Sequence, residues 1–141
     1  MVYVTRRAHF NAAHRLHNPD RSEEWNLRTY GECNHPNWHG HNYTIDVTVA
    51  GEPDPETGFL IELSLLKEII SKKIIQRCDH KNLNLDVPFL KEVIPTTENL
   101  VRCFYDELKE EVEQHSAEGA RLYSVRLFET ERNFAEYCPS R

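Results

Sequence analysis

The sequence predicts an α+β fold in which a four-stranded antiparallel sheet is covered on one face by two helices. Two segments near the N-terminus and two near the C-terminus alternate apolar and polar residues, the pattern of strands with one buried face. Two segments between them repeat apolar residues every three to four positions, the pattern of amphipathic helices. Two strands, two helices and two further strands predict a ββααββ order with a single layer of helices against the sheet.

The first two strands are predicted over residues 2–15 and 41–50. In the first, His14 falls on the apolar parity, which only Arg6 interrupts. In the second, one parity consists of His41, Tyr43, Ile45, Val47 and Val49. Because successive side chains of a strand point to opposite faces, His14 and His41 both lie on the apolar side. If the strands pair as an antiparallel hairpin, these two histidines meet at the same end.

The helices are predicted over residues 63–77 and 97–115, and the last two strands from residue 122 and over residues 134–138. We expect Thr96 or Thr97 to cap the second helix. In the third strand, Tyr123, Val125 and Leu127 share a parity, and Glu129 is the next residue on it. On this residue alone, a strand end at which Glu129 reaches solvent is the favoured interpretation.

Length and charge restrict the classes of function. A chain of 141 residues suits one domain, 1–141. The net charge of −6 argues against nucleic acid or an anionic membrane as the main partner. The N-terminus does not resemble a signal peptide, and the sequence has no apolar run of about 20 residues that could cross a bilayer. Four cysteines without paired spacing are expected to be reduced thiols, with Cys103 and Cys138 as packing residues. We therefore expect a cytoplasmic protein.

Residues 33–43, C-N-H-P-N-W-H-G-H-N-Y, concentrate a thiol and three imidazoles before the second strand. His39 and His41 are two residues apart, so in extended backbone both rings can reach one metal ion. The alternative, that hydrogen bonds satisfy both rings, stays open on this motif alone. The connection that contains the motif is long, roughly 25 residues, and long ordered loops are often functional. Ser22 could cap a short helix inside it.

Five short motifs follow one another along the chain: H14-R-L, C33-x5-H39-G-H41-N-Y, D79-H80-K-N-L, P95-T-T-E-N and F128-E-T. In this order they resemble the 6-pyruvoyl-tetrahydropterin synthase and 6-carboxy-tetrahydropterin synthase family over nearly the full chain. The resemblance implies the tunnelling fold, or T-fold, in which three subunits close a barrel and two trimers stack. We therefore expect a homohexamer with shared active sites.

The resemblance also implies a catalytic zinc ion in each subunit, held by His14, His39 and His41. Three histidines with an open fourth position are typical of catalytic zinc. The family pattern makes Cys33 the general base, with Asp79 and His80 as a relay from a neighbouring subunit. A structural zinc site closed by Cys33 is the alternative, and the spacing of the motif does not exclude it.

In the family, the glutamate that matches Glu129 anchors the pterin through two hydrogen bonds, and residues that match Thr96, Thr97 and Glu98 line the same pocket. The implied reaction converts 7,8-dihydroneopterin triphosphate to 6-pyruvoyl-tetrahydropterin with loss of triphosphate, and Mg²⁺ accompanies the triphosphate. Arg15 and Lys81, next to the motifs, are candidates to contact this polyanion. A solvated surface charge is the simpler interpretation of each.

Some residues depart from the family pattern. Trp38 stands where animal members carry glycine, and Cys78 stands where we expect an aliphatic residue and is interpreted as packing. His35 is an extra imidazole that we expect to face solvent.

Two other functions remain as alternatives. The 6-carboxy-tetrahydropterin synthases of queuosine biosynthesis usually space the cysteine and H-G-H by three residues, whereas this chain has five. This spacing favours the pyruvoyl product. A zinc-binding module without catalysis would need Cys33 as fourth ligand and would leave Glu129, Asp79 and His80 without a joint purpose.

Overall fold

The computed structural model describes residues 1–140, and a long hairpin of two strands forms the centre of its sheet. Arg141, the last residue of the predicted domain 1–141, lies outside the described residues. The strands are β1 (Val2–His14), β2 (His39–Gly51), β3 (Lys81–Asn82), β4 (Arg121–Phe128) and β5 (Phe134–Tyr137). The helices are α1 (Glu23–Tyr30), α2 and α3 (Thr97–Gln114). Helix α2 is α-helical over Leu63–Ile70, π-helical over Ser71–Ile75 and α-helical again over Gln76–Cys78.

Over residues 1–140 the sheet has five strands in the order β3-β1-β2-β4-β5, and β3 runs parallel to β1. The prediction of four strictly antiparallel strands is therefore wrong, although the α+β class is correct. Strand β3 has two residues, too few to show an alternating pattern. It is held to β1 by backbone hydrogen bonds, from His80 N–H to the Asn11 carbonyl (2.7 Å) and from Leu83 N–H to the Ala13 carbonyl (2.8 Å).

The β1–β2 hairpin pairs without interruption from Val2 opposite Gly51 to His14 opposite His39. The predicted meeting of the histidines at one end is confirmed, since His41 lies opposite Ala12 on the same apolar face. The apolar parity of β2 is fully buried, with Tyr43, Ile45, Val47 and Val49 at 0% exposure.

The parity predicted for β4 is correct at Val125 and Leu127 and wrong at Tyr123. The register of β4 with β2 shifts between Thr48 and Val49, so that Leu122 faces Val49 and is buried. Tyr123 instead packs edge-on against the exposed Tyr3, with ring centroids 4.8 Å apart. A β-bulge inserts one residue and reverses the alternation beyond it, and this cannot be read from one strand alone.

Helices α2 and α3 contribute to one core with the apolar faces of β1, β2 and β4. Both predicted caps are present: the Ser22 hydroxyl accepts from Trp25 N–H (3.0 Å) before α1, and the Thr96 hydroxyl accepts from Asn99 N–H (3.2 Å) before α3. Among the described residues, the helices are too short or too polar to cross a membrane.

All four cysteines are free thiols, as expected. Cys78 is fully buried, and burial raises its pKa to about 12, so it packs as an unreactive side chain. Cys103 is partly buried on α3. Cys138 is exposed just past β5, so the prediction that it packs in the interior is wrong.

Candidate metal centre and active site

Three histidines meet where β1 ends and β2 begins. His14 is the last residue of β1, His39 lies opposite it, and His41 follows two residues later on the same face. Their ring centroids are 4.6 to 5.0 Å apart. One nitrogen from each ring lies within 4.8 Å of the others. The hairpin register thus brings together three side chains from two distant sequence motifs.

The three rings have unused nitrogen atoms. Nε2 of His14, Nδ1 of His39 and Nε2 of His41 are buried and have no hydrogen-bond partner within residues 1–140. A buried polar atom without a partner is unfavourable unless something else satisfies it. Imidazole nitrogens are common ligands of zinc, and three of them leave a fourth position for a substrate. The donor set therefore fits a metal ion such as zinc with one open coordination position.

His14 is oriented by contacts that sequence reasoning missed. Its Nδ1–H donates to the carbonyl oxygen of Pro95 across 3.0 Å, and the Tyr43 hydroxyl lies 3.3 Å from the same nitrogen. A proton on Nδ1 leaves the lone pair on Nε2, which faces the other histidines. Tyr43 could have been found from its parity with His41, whereas a backbone carbonyl such as that of Pro95 gives no signal in the sequence.

Burial also favours the neutral form of two of the rings, those of His14 and His41. Burial lowers the pKa of His14 to about 4, against the opposing effect of the hydrogen bond to Pro95. Burial lowers the pKa of His41 as well, although the nearby Glu129 carboxylate opposes this shift. A neutral imidazole is the form that binds metal. Burial raises the pKa of Tyr43, so its hydroxyl stays protonated.

Glu129 faces the histidines instead of solvent. It follows β4 directly, and its side chain is 23% exposed. One carboxylate oxygen accepts a hydrogen bond from the Thr97 hydroxyl across 2.9 Å. The other oxygen lies 3.4 Å from Nε2 of His41 without hydrogen-bond geometry. One oxygen of Glu129 thus accepts a hydrogen bond from the protein, and the other is available to a ligand.

The three residues predicted beside Glu129 differ in position. The Thr97 hydroxyl donates to Glu129. The Thr96 hydroxyl is used to cap α3, and Glu98 is exposed on the first turn of that helix. The structure therefore brings Thr97 into the site and does not place Thr96 or Glu98 in contact with Glu129.

Asp79 and His80 form a dyad, with Nδ1 of His80 2.9 Å from a carboxylate oxygen of Asp79. The other oxygen accepts from Asn11 N–H (2.9 Å), and this hydrogen bond is the main reason that the pKa of Asp79 is lowered. A charged Asp79 favours a proton on Nδ1 of His80 and leaves Nε2 free. His80 has a left-handed φ of 59° and a side chain that is 76% exposed.

The dyad lies on the β3 side of β1, whereas His41 belongs to β2 on the other side. Two strand spacings of about 4.8 Å separate these positions. In residues 1–140, His80 forms no hydrogen bond or ring contact with the three histidines. An open cleft of about 580 Å³ runs between them and is lined by Asn11, Gly40, His41, His80 and Lys81, among others.

Cys33 lies in the 3₁₀ turn Gly31–Asn34, which is attached to the chain that follows β1. Its carbonyl accepts from Leu16 N–H (2.8 Å), and the Asn34 carbonyl accepts two hydrogen bonds from the Arg15 guanidinium. Its thiol is partly exposed and does not join the cluster of three histidine nitrogens. The arrangement favours three nitrogen ligands over a closed site with Cys33.

Known proteins resemble this chain over nearly its whole length. The model of the family described as 6-pyruvoyl tetrahydropterin synthase matches residues 3–140. A human 6-pyruvoyl tetrahydrobiopterin synthase is 44% identical over 134 residues, which are 95% of this chain and 89% of the human protein. The solved structure of Caenorhabditis elegans 6-pyruvoyl tetrahydropterin synthase matches with a TM-score of 0.87 at 35% identity, covering 99% of this chain and 96% of that chain.

A relative with the other product name matches less of the chain. A 6-carboxy-5,6,7,8-tetrahydropterin synthase of Bacillus subtilis is 35% identical over 74 residues, which are 50% of this chain and 48% of that protein. The identity to the human protein named for the pyruvoyl product is thus higher and extends over more of the chain.

Proposed function

This chain belongs to the 6-pyruvoyl tetrahydropterin synthase family of lyases, and on that premise we propose that it converts 7,8-dihydroneopterin triphosphate to 6-pyruvoyl-tetrahydropterin with release of triphosphate. The observation that carries the proposal is the set of three unpartnered, buried imidazole nitrogens beside the Glu129 carboxylate. These nitrogens could bind a metal ion, and the Glu129 carboxylate beside them could accept hydrogen bonds from a polar ring. A binding module without catalysis would not need both.

His14, His39 and His41 would hold one zinc ion in each subunit. When bound, zinc supplies Lewis acidity that polarises hydroxyl groups of the substrate side chain and acidifies the adjacent C–H bond. The chain itself keeps His14 in the required tautomer through the Pro95 carbonyl. Burial also keeps His14 deprotonated, so that a proton does not compete with the metal for this ring near neutral pH.

Glu129 would orient the pterin. The guanidine-like edge of a pterin presents two neighbouring N–H donors, and a carboxylate accepts from both in a bidentate pair. Thr97 donates to one oxygen of Glu129 and so holds the carboxylate in place. Thr96 and Glu98, on the same helix start, would border the ring and contribute less than Thr97.

Cys33, Asp79 and His80 would move protons. Nε2 of His80 can accept or donate a proton while Asp79 stabilises the charged ring through Nδ1. Cys33 would take the proton from the substrate carbon as general base. Because Asp79 and His80 lie beyond β1, we propose that they serve the site of a neighbouring subunit.

The sheet edges are consistent with such an assembly. Residues 2–10 of β1 have one edge without a described strand partner, and β5 forms the opposite edge of the sheet. Open edges are normally covered or closed by pairing. We propose a homohexamer, a dimer of trimers, that closes these edges. We also propose a cytoplasmic location, consistent with the four free thiols, and Mg²⁺ as the counterion of the triphosphate.

The proposal is tested by incubating the purified protein with 7,8-dihydroneopterin triphosphate and Mg²⁺ and identifying the pterin by mass spectrometry. A three-carbon pyruvoyl side chain is the expected result. A 6-carboxylate with released acetaldehyde would assign the chain to the 6-carboxy-tetrahydropterin synthases. Unchanged substrate with a zinc-loaded protein would overturn the catalytic proposal.

A further inference from the structure

A second cavity is lined by residues that are next in sequence to the histidines of the candidate metal site. It has a volume of about 850 Å³, within the size range of small-molecule sites. Its walls include the direct neighbours of three site residues: Arg15 follows His14, Trp38 precedes His39, and Ile94 precedes Pro95. Neighbouring Cα atoms are about 3.8 Å apart, so the backbone that carries the histidines also forms part of this cavity's wall.

The order of the strands places this cavity and Glu129 on opposite sides of the histidines. Glu129 follows β4, the histidines belong to β2 and β1, and Asn84 in the cavity wall follows β3. The segment that leads into α3 passes these three places in turn. Ile94 lines the cavity, the Pro95 carbonyl accepts from His14, and the Thr97 hydroxyl donates to Glu129. A ligand with its ring at Glu129 and its side chain at the histidines would extend into this cavity.

Two side chains in the cavity wall, Arg15 and His17, offer hydrogen-bond donors to an anion. Nε and Nη2 of Arg15 donate to the Asn34 carbonyl (3.2 and 2.9 Å), which fixes the guanidinium and leaves Nη1 without a partner among the described residues. The guanidinium also lies 5.7 Å from the ring centroid of Trp38. Nδ1 of His17 accepts from the Asn34 amide (2.9 Å), because that amide can only donate, and Nε2 of His17 therefore carries a hydrogen.

The cavity also contains acidic groups. Asp20 and Glu92 are exposed carboxylates in its wall. They would repel a bare polyphosphate, but carboxylates and phosphate oxygens together are the ligands that Mg²⁺ uses in phosphate sites. The mixture of one guanidinium, one imidazole N–H and two carboxylates therefore suits a magnesium polyphosphate better than either ion alone.

Two non-glycine residues in the wall have left-handed backbone. Trp38 and Glu92 both have φ of 66°. Such a conformation is unfavourable for these residue types and is retained mainly where surrounding structure requires it, often at functional sites. The strained residue Trp38 is also the one whose indole lies 5.7 Å from the Arg15 guanidinium.

We propose that this cavity, with Arg15 and His17 as donors, binds the triphosphate of the substrate as its Mg²⁺ complex. The proposal rests on the proposed function, since that function supplies a substrate with a triphosphate tail. The other candidate cation, Lys81, lines the separate cleft that also contains His80, and it is not part of this cavity.

The test is calorimetric binding of inorganic tripolyphosphate to the assembled protein, with and without Mg²⁺ and without turnover. Wild type should bind, and Arg15→Gln should weaken binding by about tenfold or more, the loss expected for a charged hydrogen bond. Arg102→Gln, which removes an exposed cation from α3, is the matched control and should bind like wild type. Equal binding by Arg15→Gln and wild type, or a loss in Lys81→Gln instead, would overturn the proposal.

A second variant covers the case in which Arg15→Gln disturbs the turn that Arg15 holds. Glu92 is exposed, so Glu92→Gln should fold, bind magnesium-free tripolyphosphate more tightly and depend less on Mg²⁺ than wild type. Unchanged magnesium dependence in this variant would also overturn the proposal. If wild type converts dihydroneopterin triphosphate but these variants bind tripolyphosphate normally, the cavity assignment fails while the proposed function stands. If the variants bind tripolyphosphate as expected but the wild type forms no new pterin, the proposed function fails while the cavity assignment stands.

Discussion

Nδ1 of His14 donates a hydrogen bond to the carbonyl oxygen of Pro95 across 3.0 Å. This bond joins the end of β1 to the start of α3 and directs Nε2 of His14 toward His39 and His41. The three histidines and the cap of α3 are therefore parts of one unit.

Removal of the metal should destabilise the protein, because it leaves three buried nitrogens without a partner. We expect a chelator to lower the melting temperature by more than about 5 °C, and zinc to restore it. His41→Gln should show no such shift, since one of the three ligands is missing. Identical melting curves of the wild type with and without chelator would contradict a bound metal.

Tyr43→Phe should weaken zinc binding by about tenfold, the scale of effects from groups that orient metal ligands. The substitution removes the hydroxyl 3.3 Å from His14 and keeps the ring that stacks on Phe10 at 4.9 Å. Zinc affinity is measured by competition with a chromophoric chelator, and the spectrum of the cobalt-substituted protein reports ligand geometry.

Tyr105→Phe is the matched control for this variant. The Tyr105 hydroxyl donates to the Leu122 carbonyl across 3.0 Å, between α3 and β4. Its loss should cost about 1 kcal/mol of stability and leave zinc affinity unchanged. Equal zinc affinity in Tyr43→Phe and the wild type would show that the Tyr43 hydroxyl has no role at the metal.

Glu129→Gln should retain zinc and fold normally but bind the pterin poorly. The amide keeps one acceptor oxygen and replaces the other with a donor, so the bidentate pair is lost. We expect kcat/KM to fall by about tenfold to a hundredfold. Glu131→Gln, which changes an exposed glutamate two residues further on, should match the wild type. A decrease of the same size in both variants would indicate a general effect of charge.

Cys33→Ala should keep zinc and lose turnover, because the thiol lies outside the three-nitrogen cluster. Loss of zinc in this variant would show that Cys33 is a ligand.

His80→Ala should also be inactive. If neighbouring subunits share each site, denaturing the two inactive variants together and refolding the mixture should restore partial activity, measured as product by mass spectrometry. A mixture that stays inactive would place Cys33 and His80 of one chain in the same site.

Asp79 should add to stability only above a low pH. Its pKa is lowered from its ordinary value of 3.8, first by the Asn11 N–H and also by His80. A carboxylate with a lowered folded pKa contributes its full stability above 3.8 and loses it as the pH falls through the lower folded value. The stability difference between wild type and Asp79→Asn, measured by urea unfolding, should therefore be constant near neutral pH and shrink below pH 3.8. A difference that grows with acidity would contradict the assignment.

Alternation and helical periodicity predicted most of the elements, since each depends on neighbours within a few residues. Ser22 and Thr96 were identified as possible caps for the same reason. Strand β3 and the shift at Tyr123 could not be predicted, because both depend on pairing with a strand far away in the chain. The contact of Glu129 with Thr97 also required the position of α3 relative to β4.

The sequence by itself determined the residue types of the site and the faces on which they lie. The parities of β1 and β2 place His14 and His41 on the apolar side, and the order of the motifs indicates the family. The tertiary structure decided which atoms of the site form hydrogen bonds within the protein and which remain available to a ligand. The hairpin register sets His14 opposite His39, and Pro95 selects the tautomer of His14. The physical reason is that side-chain direction follows from local backbone geometry, whereas hydrogen bonding at a buried site depends on groups that only folding brings together.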